Sequence, residues 1–116
     1  MKNNLTALDF EYNLNEFIEN IDFERIHKVM EFLDWKWLHE APYDVPSIER
    51  MKAWVNYYLI ESINGAITKL NEKPKKKKAT FHMATGGFFH TATVYRDTPK
   101  VYLDIKFSIA ELNNYD

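Results

Sequence analysis

The amino-acid sequence predicts an α+β fold in which two helices pack on a three-stranded antiparallel meander, in the order ααβββ, with a short extra N-terminal element. In the first part of the chain, apolar residues recur at three- and four-residue spacing, which is typical of amphipathic helices. After a run of lysines, apolar and polar residues alternate with a period of two, which is typical of strands. The 116 residues, 46% of them hydrophobic, suit one domain spanning residues 1–116.

The first predicted helix lies in the segment IDFERIHKVMEFLDWKW, where Asp22 is placed to act as the N-cap. Its apolar stripe consists of Phe23, Ile26, Met30 and Leu33. Upstream, NLNEFIENI is predicted to add one or two helical turns. Downstream, HEAPYDVP contains two prolines and is therefore predicted to be a connector.

The second predicted helix is the longest periodic segment, PSIERMKAWVNYYLIESINGAITKL, with Ser47 as its candidate N-cap and about six turns. Gly65 weakens the last third of this helix, so the sequence predicts either a close packing contact or early fraying there. The lysine-rich segment that follows ends the helix. Residues 72–78 are predicted to be a basic linker between the helical and sheet parts of the domain.

Two turns set the predicted strand pairing. Gly86 and Gly87 suit a two-residue hairpin turn that pairs Thr85 with Phe88. The second hairpin, across RDTPK, is predicted to close with Val94 opposite Leu103. The buried face of the sheet then contains Phe81, Met83, Phe88, His90, Ala92, Val94, Leu103, Ile105 and Phe107. The opposite side, called the outer face below, contains Thr80, His82, Phe89, Thr91, Thr93, Tyr95, Tyr102, Asp104, Lys106 and Ser108.

The composition limits the kinds of function that the chain can have. The sequence has no cysteine, which excludes disulfides, thiolate metal sites and a cysteine nucleophile. It shows neither a signal peptide nor an apolar run of about 20 residues, so a cytoplasmic location is expected. The net charge is −2, but residues 1–50 carry five Lys/Arg against eleven Asp/Glu, whereas residues 51–116 carry ten against six. The basic excess is therefore local.

The lysine run raises two alternatives. Read as a functional element, it is a set of phosphate contacts for nucleic acid, made by Lys73, Lys75, Lys76, Lys77 and Lys78. Read as a structural element, it is a solvated linker that favours the helix C-terminus and deters aggregation at a sheet edge. The linker is the favoured interpretation, because the predicted outer face includes only one cation, Lys106.

No catalytic or metal-ligating set is predicted, and no cofactor. His27 and Glu31 lie four residues apart on a helix, but nothing nearby completes a zinc site. His82 and His90 fall on opposite faces of the sheet, and His90 is expected to be a hydrogen-bonded core residue. No nucleophile elbow, phosphate loop or zinc motif is present. Five aromatic side chains are expected to fill the seam between helices and sheet rather than line a pocket; these are Trp35, Trp37, Trp54, Tyr57 and Tyr58.

The outer face is the predicted functional surface, because exposed aromatic residues between threonines are typical of a protein-binding face. The predicted binding residues are Phe89, Thr91, Thr93, Tyr95, Tyr102, Asp104 and Lys106. The simplest partner is a second copy of the chain, in which Asp104 of one copy meets Lys106 of the other. The alternative is that these side chains pack over one another or under the N-terminal segment LTALDFEYN.

The combination of EFLDWKW, VPSIERMKAW, ATGGFFHTATVY and VYLDIKFSIAEL resembles a group of small uncharacterised proteins of bacteriophages and prophages. The resemblance covers residues 23–112. It implies no catalytic residue, cofactor or substrate. It implies a non-enzymatic accessory protein of the host cytoplasm that binds a protein and interferes with a host factor. The segment PKKKK departs from the pattern of the group, which leaves the role of the lysines open.

Overall fold

The computed structural model describes residues 4–32, 46–85 and 88–107. After a one-turn 3-10 helix, Ala7–Asp9, the helices and strands are α1 (Leu14–Glu19), α2 (Phe23–Phe32), α3 (Ile48–Glu72), β1 (Lys78–Thr85), β2 (Phe88–Tyr95) and β3 (Thr98–Phe107). The strands are antiparallel and adjacent in chain order, β1-β2-β3. The predicted α+β fold, with helices packed on a meander, is confirmed. Helix α1 is the short extra element upstream of the two main helices.

Both predicted helix starts are confirmed by their caps. The Asp22 carboxylate accepts a hydrogen bond from the backbone N–H of Arg25 at 3.1 Å. The Ser47 hydroxyl accepts one from the backbone N–H of Arg50 at 3.2 Å. Helix α3 continues through Glu72, about seven turns in all. The predicted positions of Leu33, Trp35 and Trp37 lie outside the described residues.

Helix α3 lies across β1 and β2, and its buried side carries Met51, Val55, Leu59, Ser62, Ile63, Ala66, Ile67 and Leu70. At Gly65 the sheet comes unusually close. A Cβ atom added there would lie 2.6 Å from ring atoms of Phe81 on β1. Of the two outcomes predicted at Gly65, the close packing contact is the one observed, since the helix continues for seven more residues.

The core divides into two neighbouring clusters. The first joins α1, α2 and α3 to the sheet and contains Ile18, Phe23, Ile26, Met30, Met51, Val55, Leu59, Phe88, Ile105 and Phe107. The second joins the N-terminal segment to the end of α3 and contains Leu5, Phe10, Ile63, Ala66, Ile67, Leu70, Ala92, Val94 and Val101. Each cluster holds residues from both helices and strands, so neither half of the domain has a core of its own.

The N-terminal segment is fixed to the helical side of the molecule. The Asn71 side chain on α3 accepts from the Leu5 N–H and donates to the Leu5 carbonyl, both at 2.8 Å. Leu5 and Phe10 are buried against α3 and the inner face of the sheet. The alternative in which this segment covers the outer face is therefore wrong.

One predicted strand pairing is confirmed and one is corrected. Thr85 pairs with Phe88, as predicted, although Gly86 and Gly87 lie outside the described residues. In the second hairpin Val94 lies opposite Val101, not Leu103. The turn is only two residues long, Arg96–Asp97, because β3 begins at Thr98 and the register shifts between Val94 and Tyr95. A shift of two residues leaves every side chain on its predicted face.

The predicted buried face is largely confirmed. His90 and Ala92 on the central strand are almost completely buried, as are Ile105 and Phe107 on β3. Leu103 is only half-buried. It lies on an edge strand, where a neighbouring strand covers one side only.

Candidate binding face

The outer face of the sheet is not covered by any helix in the described ranges, because α3 and its partners pack on the opposite side. Phe89 is 47% exposed and Tyr102 is 49% exposed. Tyr95 is half-buried and shares the face. The other four predicted site residues lie there too, with Thr91 and Thr93 half-buried and Asp104 and Lys106 exposed. Ser108 lies outside the described residues.

The polar side chains of this face bond to one another. The hydroxyls of Thr80 and Thr93 lie 3.0 Å apart across β1 and β2. His82 Nδ1 and the Thr91 hydroxyl are likewise separated by 3.0 Å. Because these hydroxyls are already engaged, the threonines offer fewer directional contacts to a partner than the sequence suggested.

The structure corrects the number of cations on the face. Lys78 is the first residue of β1 and lies opposite Tyr95. On β3, Lys106 lies opposite Phe89, and the Lys100 ammonium is 5.5 Å from the centre of the Tyr102 ring. The sequence-based interpretation counted only Lys106, because it began the strands at Thr80 and Val101 and left the flanking lysines in turns. Extending the alternation by one outward position in each strand identifies them.

The phenylalanine and the two tyrosines of the outer face each have a lysine as a neighbour. Phe89 lies opposite Lys106 and Tyr95 opposite Lys78 across the strands, and at Tyr102 the Lys100 ammonium lies over the ring. The Tyr95 and Tyr102 rings also pack edge to face, with centroids 5.5 Å apart and planes at 82°. This contact restricts the two rings before any partner arrives. The face offers fixed aromatic surface with positive charge distributed across it.

The lysine run joins the end of α3 to Lys78 on β1 and is held in place by Arg96, a residue that the sequence pattern does not single out. The Arg96 Nη2 group donates to the carbonyls of Leu70 at 2.7 Å and Lys73 at 3.1 Å. Its Nε donates to the carbonyl of Lys76 at 2.9 Å. The backbone N–H of Arg96 donates to the carbonyl of Lys77 at 2.7 Å.

This arrangement ties the β2–β3 turn to the end of α3. A guanidinium at a helix C-terminus satisfies carbonyls that have no partner within the helix and opposes the negative end of the helix dipole. The linker between α3 and β1 is therefore a shaped turn, whose lysine side chains are exposed from Lys73 to Lys78. The sequence does show a cation in the β2–β3 turn. Nothing near it in the sequence indicates that it bonds to Leu70, which lies 26 residues away along the chain.

His90 is the buried histidine of the core. Its Nδ1–H donates to the carbonyl of Met83 at 3.2 Å, and its Nε2 has no hydrogen-bond partner in the described part of the chain. Burial lowers the pKa of His90 below its ordinary value of 6.5, against a smaller opposing effect of the bond to Met83. The prediction of a hydrogen-bonded core histidine is confirmed.

The other titratable side chains do not form a metal site in the described ranges, where no group of three His, Asp or Glu residues is close enough to share an ion. His27 Nδ1 lies 2.7 Å from Glu31 Oε1 on the surface of α2. In the same ranges, no helix combines the length and apolar character needed to cross a bilayer.

The aromatic residues of α3 divide between seam and surface. Trp54 and Tyr58 are half-buried, and the Tyr58 ring lies 5.5 Å from the His90 ring. Tyr57 is 57% exposed, so the expectation that it packs in the seam is wrong for this residue. It points away because adjacent helical positions differ by about 100° around the axis.

No protein-family model, curated protein or solved structure matches this chain. The resemblance to phage and prophage proteins therefore stays a prediction, and the geometry of the outer face is the basis for assigning a function.

Proposed function

We propose that this chain is a non-enzymatic accessory protein that binds single-stranded nucleic acid on the outer face of its sheet. The observation that carries the proposal is that Phe89 and Tyr95 each lie opposite a lysine across the strands and that the Lys100 ammonium lies over the Tyr102 ring. Proteins that bind single strands without strong sequence preference combine aromatic rings, on which bases stack, with cations that follow the backbone. The lysine run is exposed from Lys73 to Lys78 and leads into the face at Lys78, the first residue of β1.

The same features fit a protein partner less well. Tyrosine and phenylalanine are enriched at protein interfaces, but lysine is depleted there. The engaged hydroxyls of Thr91 and Thr93 further reduce what the face offers to another protein. The overall charge of −2 is unevenly distributed: residues 1–50 carry a net −6, whereas residues 51–116, which supply all three strands of the sheet, carry a net +4.

The test measures binding of fluorescent single-stranded DNA and RNA of mixed sequence by anisotropy, at low and at physiological salt. Replacing Tyr102 or Phe89 with alanine is expected to weaken binding by roughly 5- to 150-fold, the effect of removing one stacked base. Replacing Lys73, Lys75, Lys76 and Lys77 together with glutamine is expected to reduce the salt dependence by about 0.7 for each phosphate that is no longer neutralised. These exposed linker residues should leave the melting temperature unchanged.

The matched controls lie on the helices. Tyr57→Ala removes an equally exposed ring from α3, and Lys28→Gln removes an exposed cation from α2; neither should change binding. Absence of binding at low salt contradicts the proposal. If Tyr102→Ala and Phe89→Ala leave the affinity unchanged, the contact is electrostatic only, which contradicts the role given to the rings.

A protein partner on the same face is the second candidate, and the half-exposed rings of Phe89 and Tyr102 favour it. This is the accessory protein of phage or prophage type, working in the host cytoplasm, that the sequence suggested. Light scattering on the parent and on the double variant Tyr95→Glu, Tyr102→Glu tests it in the form of a second copy. This candidate is favoured over the first if the parent self-associates, the double variant does not, and the parent shows no affinity for nucleic acid.

A further inference from the structure

A groove of about 270 Å³ lies where the end of α3 meets the beginning of β1, and it is called the corner groove below. Four of the side chains that line it are cationic and one is anionic, which gives the lining a net charge of +3. All four lysines are exposed, so a ligand in solution can reach them. The polar and charged lining consists of Lys69, Glu72, Lys73, Lys76, Lys78 and Thr80.

The ammonium group of Lys69 is held in position at this groove. Its Nζ donates to the carbonyl of Thr80 on β1 at 3.1 Å and lies 5.6 Å from the centre of the Phe81 ring. An ammonium group has three N–H donors, so two remain for a ligand after the bond to Thr80. Because this cation is already placed, a ligand that binds it has less side-chain freedom to restrict.

The negative end of the α3 dipole is opposed by Arg96. Carbonyls at a helix C-terminus carry partial negative charge, which would disfavour an anion nearby. The Arg96 guanidinium donates to the carbonyls of Leu70, Lys73 and Lys76. These carbonyls are therefore satisfied without the lysine ammonium groups, and the guanidinium adds a further positive charge at this end of the helix.

Only some lysines of the linker reach the corner groove. The backbone N–H of Lys76 donates to the carbonyl of Lys73 at 2.9 Å, which closes a turn between these two residues. Lys73 and Lys76 both line the groove, whereas Lys75 and Lys77 do not. The fold thus selects particular lysines of the run and adds Lys69 from α3 to them.

The cations of the groove are not balanced by the protein itself. Lys69 and Lys73 lie four residues apart, and like charges at this spacing destabilise a helix. In the part of the chain that the structure describes, none of the four ammonium groups forms an ion pair with a carboxylate. A bound anion would relieve this repulsion.

We propose that the corner groove binds a chain of condensed phosphates, as found in inorganic triphosphate and in nucleoside triphosphates. Each phosphate of such a chain carries negative charge and oxygen acceptors, and lysine binds phosphate as a point charge. One extended ligand can therefore meet lysines from both α3 and β1. A lining of net charge +3 suits a triphosphate, whereas a single phosphate group would neutralise only part of it.

This site goes beyond the proposed binding of single-stranded nucleic acid and does not rest on it. Of the groove lysines, Lys78 also belongs to the outer face, where it lies opposite Tyr95. None of the three rings of the outer face lines the groove. Inorganic triphosphate, which has no base to stack, therefore tests the groove alone, and Tyr102→Ala should leave its binding unchanged.

The experiment measures binding of inorganic triphosphate and of ATP by isothermal titration calorimetry, without divalent cations. At about 0.1 M salt, charges more than about 10 Å apart are largely screened. Both ligands are expected to bind, and AMP is expected to bind about tenfold more weakly because it meets fewer ammonium groups. Equal affinities for triphosphate and ATP assign the phosphate chain as the whole ligand, and tighter binding of ATP assigns a nucleotide. Added triphosphate should also raise the melting temperature.

The variants separate the groove from the lysine run as a whole. Lys69→Gln with Lys73→Gln is expected to weaken triphosphate binding by about 5- to 30-fold, since each change removes one exposed ion pair with the ligand. Lys75→Gln with Lys77→Gln removes the same charge outside the groove and should change the affinity by about twofold or less.

A change of the opposite sign does not depend on removing a lysine. Glu72→Gln removes the carboxylate of the lining and should tighten binding by about two- to fivefold. Glu49→Gln, in the first turn of α3, should have no effect.

Four results would overturn the proposal. They are a parent that does not bind triphosphate, equal losses in the two double lysine variants, an affinity that Glu72→Gln does not raise, and AMP binding as tight as that of ATP. If triphosphate fails to bind while oligonucleotides still do, the corner groove is refuted and the function proposed for the outer face is not.

Discussion

The ring of Phe81 on β1 lies where the side chain of residue 65 on α3 would begin, since a Cβ atom added to Gly65 would be only 2.6 Å from ring atoms. Gly65→Ala should therefore destabilise the fold, although alanine favours a helix by about 1 kcal/mol over glycine. Overpacking costs about 1–3 kcal/mol and outweighs that gain. Urea denaturation measures the difference.

A second background isolates the cause of this effect. In a Phe81→Val variant, which shortens the side chain facing the helix, Gly65→Ala should become neutral or stabilising. Asn64→Ala is the control, since Asn64 is exposed on the same turn. A decrease in stability that is the same in both backgrounds would contradict the contact with Phe81.

Phe107 is a main anchor of the first core cluster and is 5% exposed. Its ring packs edge to face on that of Phe88, with centroids 5.1 Å apart. Phe107→Ala should cost about 3–5 kcal/mol, much of the stability of a small domain. Leu8→Ala, at a 96% exposed position, should change the free energy of unfolding by less than about 0.5 kcal/mol. A Phe107→Ala variant with the same melting temperature as the parent would show that the β2–β3 register is wrong.

Arg96 should be more important for stability than any lysine of the run it supports. Arg96→Lys keeps the charge but cannot reproduce the fork that reaches Leu70, Lys73 and Lys76, and it should cost about 1–3 kcal/mol. Chemical denaturation measures this cost. Hydrogen exchange at the Lys76 amide, which bonds to the Lys73 carbonyl, should quicken as the turn loosens. Lys75→Gln serves as the control. An Arg96→Lys variant with the same free energy of unfolding as Lys75→Gln would refute the role of the fork.

His90 should make stability depend on pH. Because burial holds its pKa below 6.5, the unfolded chain takes up a proton that the folded chain does not. The free energy of unfolding contributed by this residue is fully present above the unfolded pKa of about 6.5, and it falls as pH decreases below that value. His90→Leu should reduce the slope of stability against pH between about pH 7 and pH 5.

The control for this prediction is Ser62→Ala, which changes a buried polar side chain that does not titrate. It should leave the slope unchanged. If His90→Leu retains the slope of the parent, other groups cause the pH dependence.

The candidate face shows what local pattern can predict. All seven proposed site residues lie on one face, although the second hairpin was placed two residues out of register. The face was predicted correctly because side chains alternate with a period of two, so an even shift does not exchange them. The lysines that flank Tyr95 and Tyr102 were missed, because strand ends depend on pairing partners that lie elsewhere in the chain.

The sequence alone determined the helices, their caps and the side of the sheet that each residue faces, since these follow from backbone geometry within a few residues. The tertiary structure alone decided which lysines join the outer face and that Arg96 holds the end of α3. It also decided that the N-terminal segment packs on the helical side and that Glu11 pairs with the start of β3. Each of these contacts joins groups far apart along the chain. Their partners are selected by how the whole core closes, which no local spacing records.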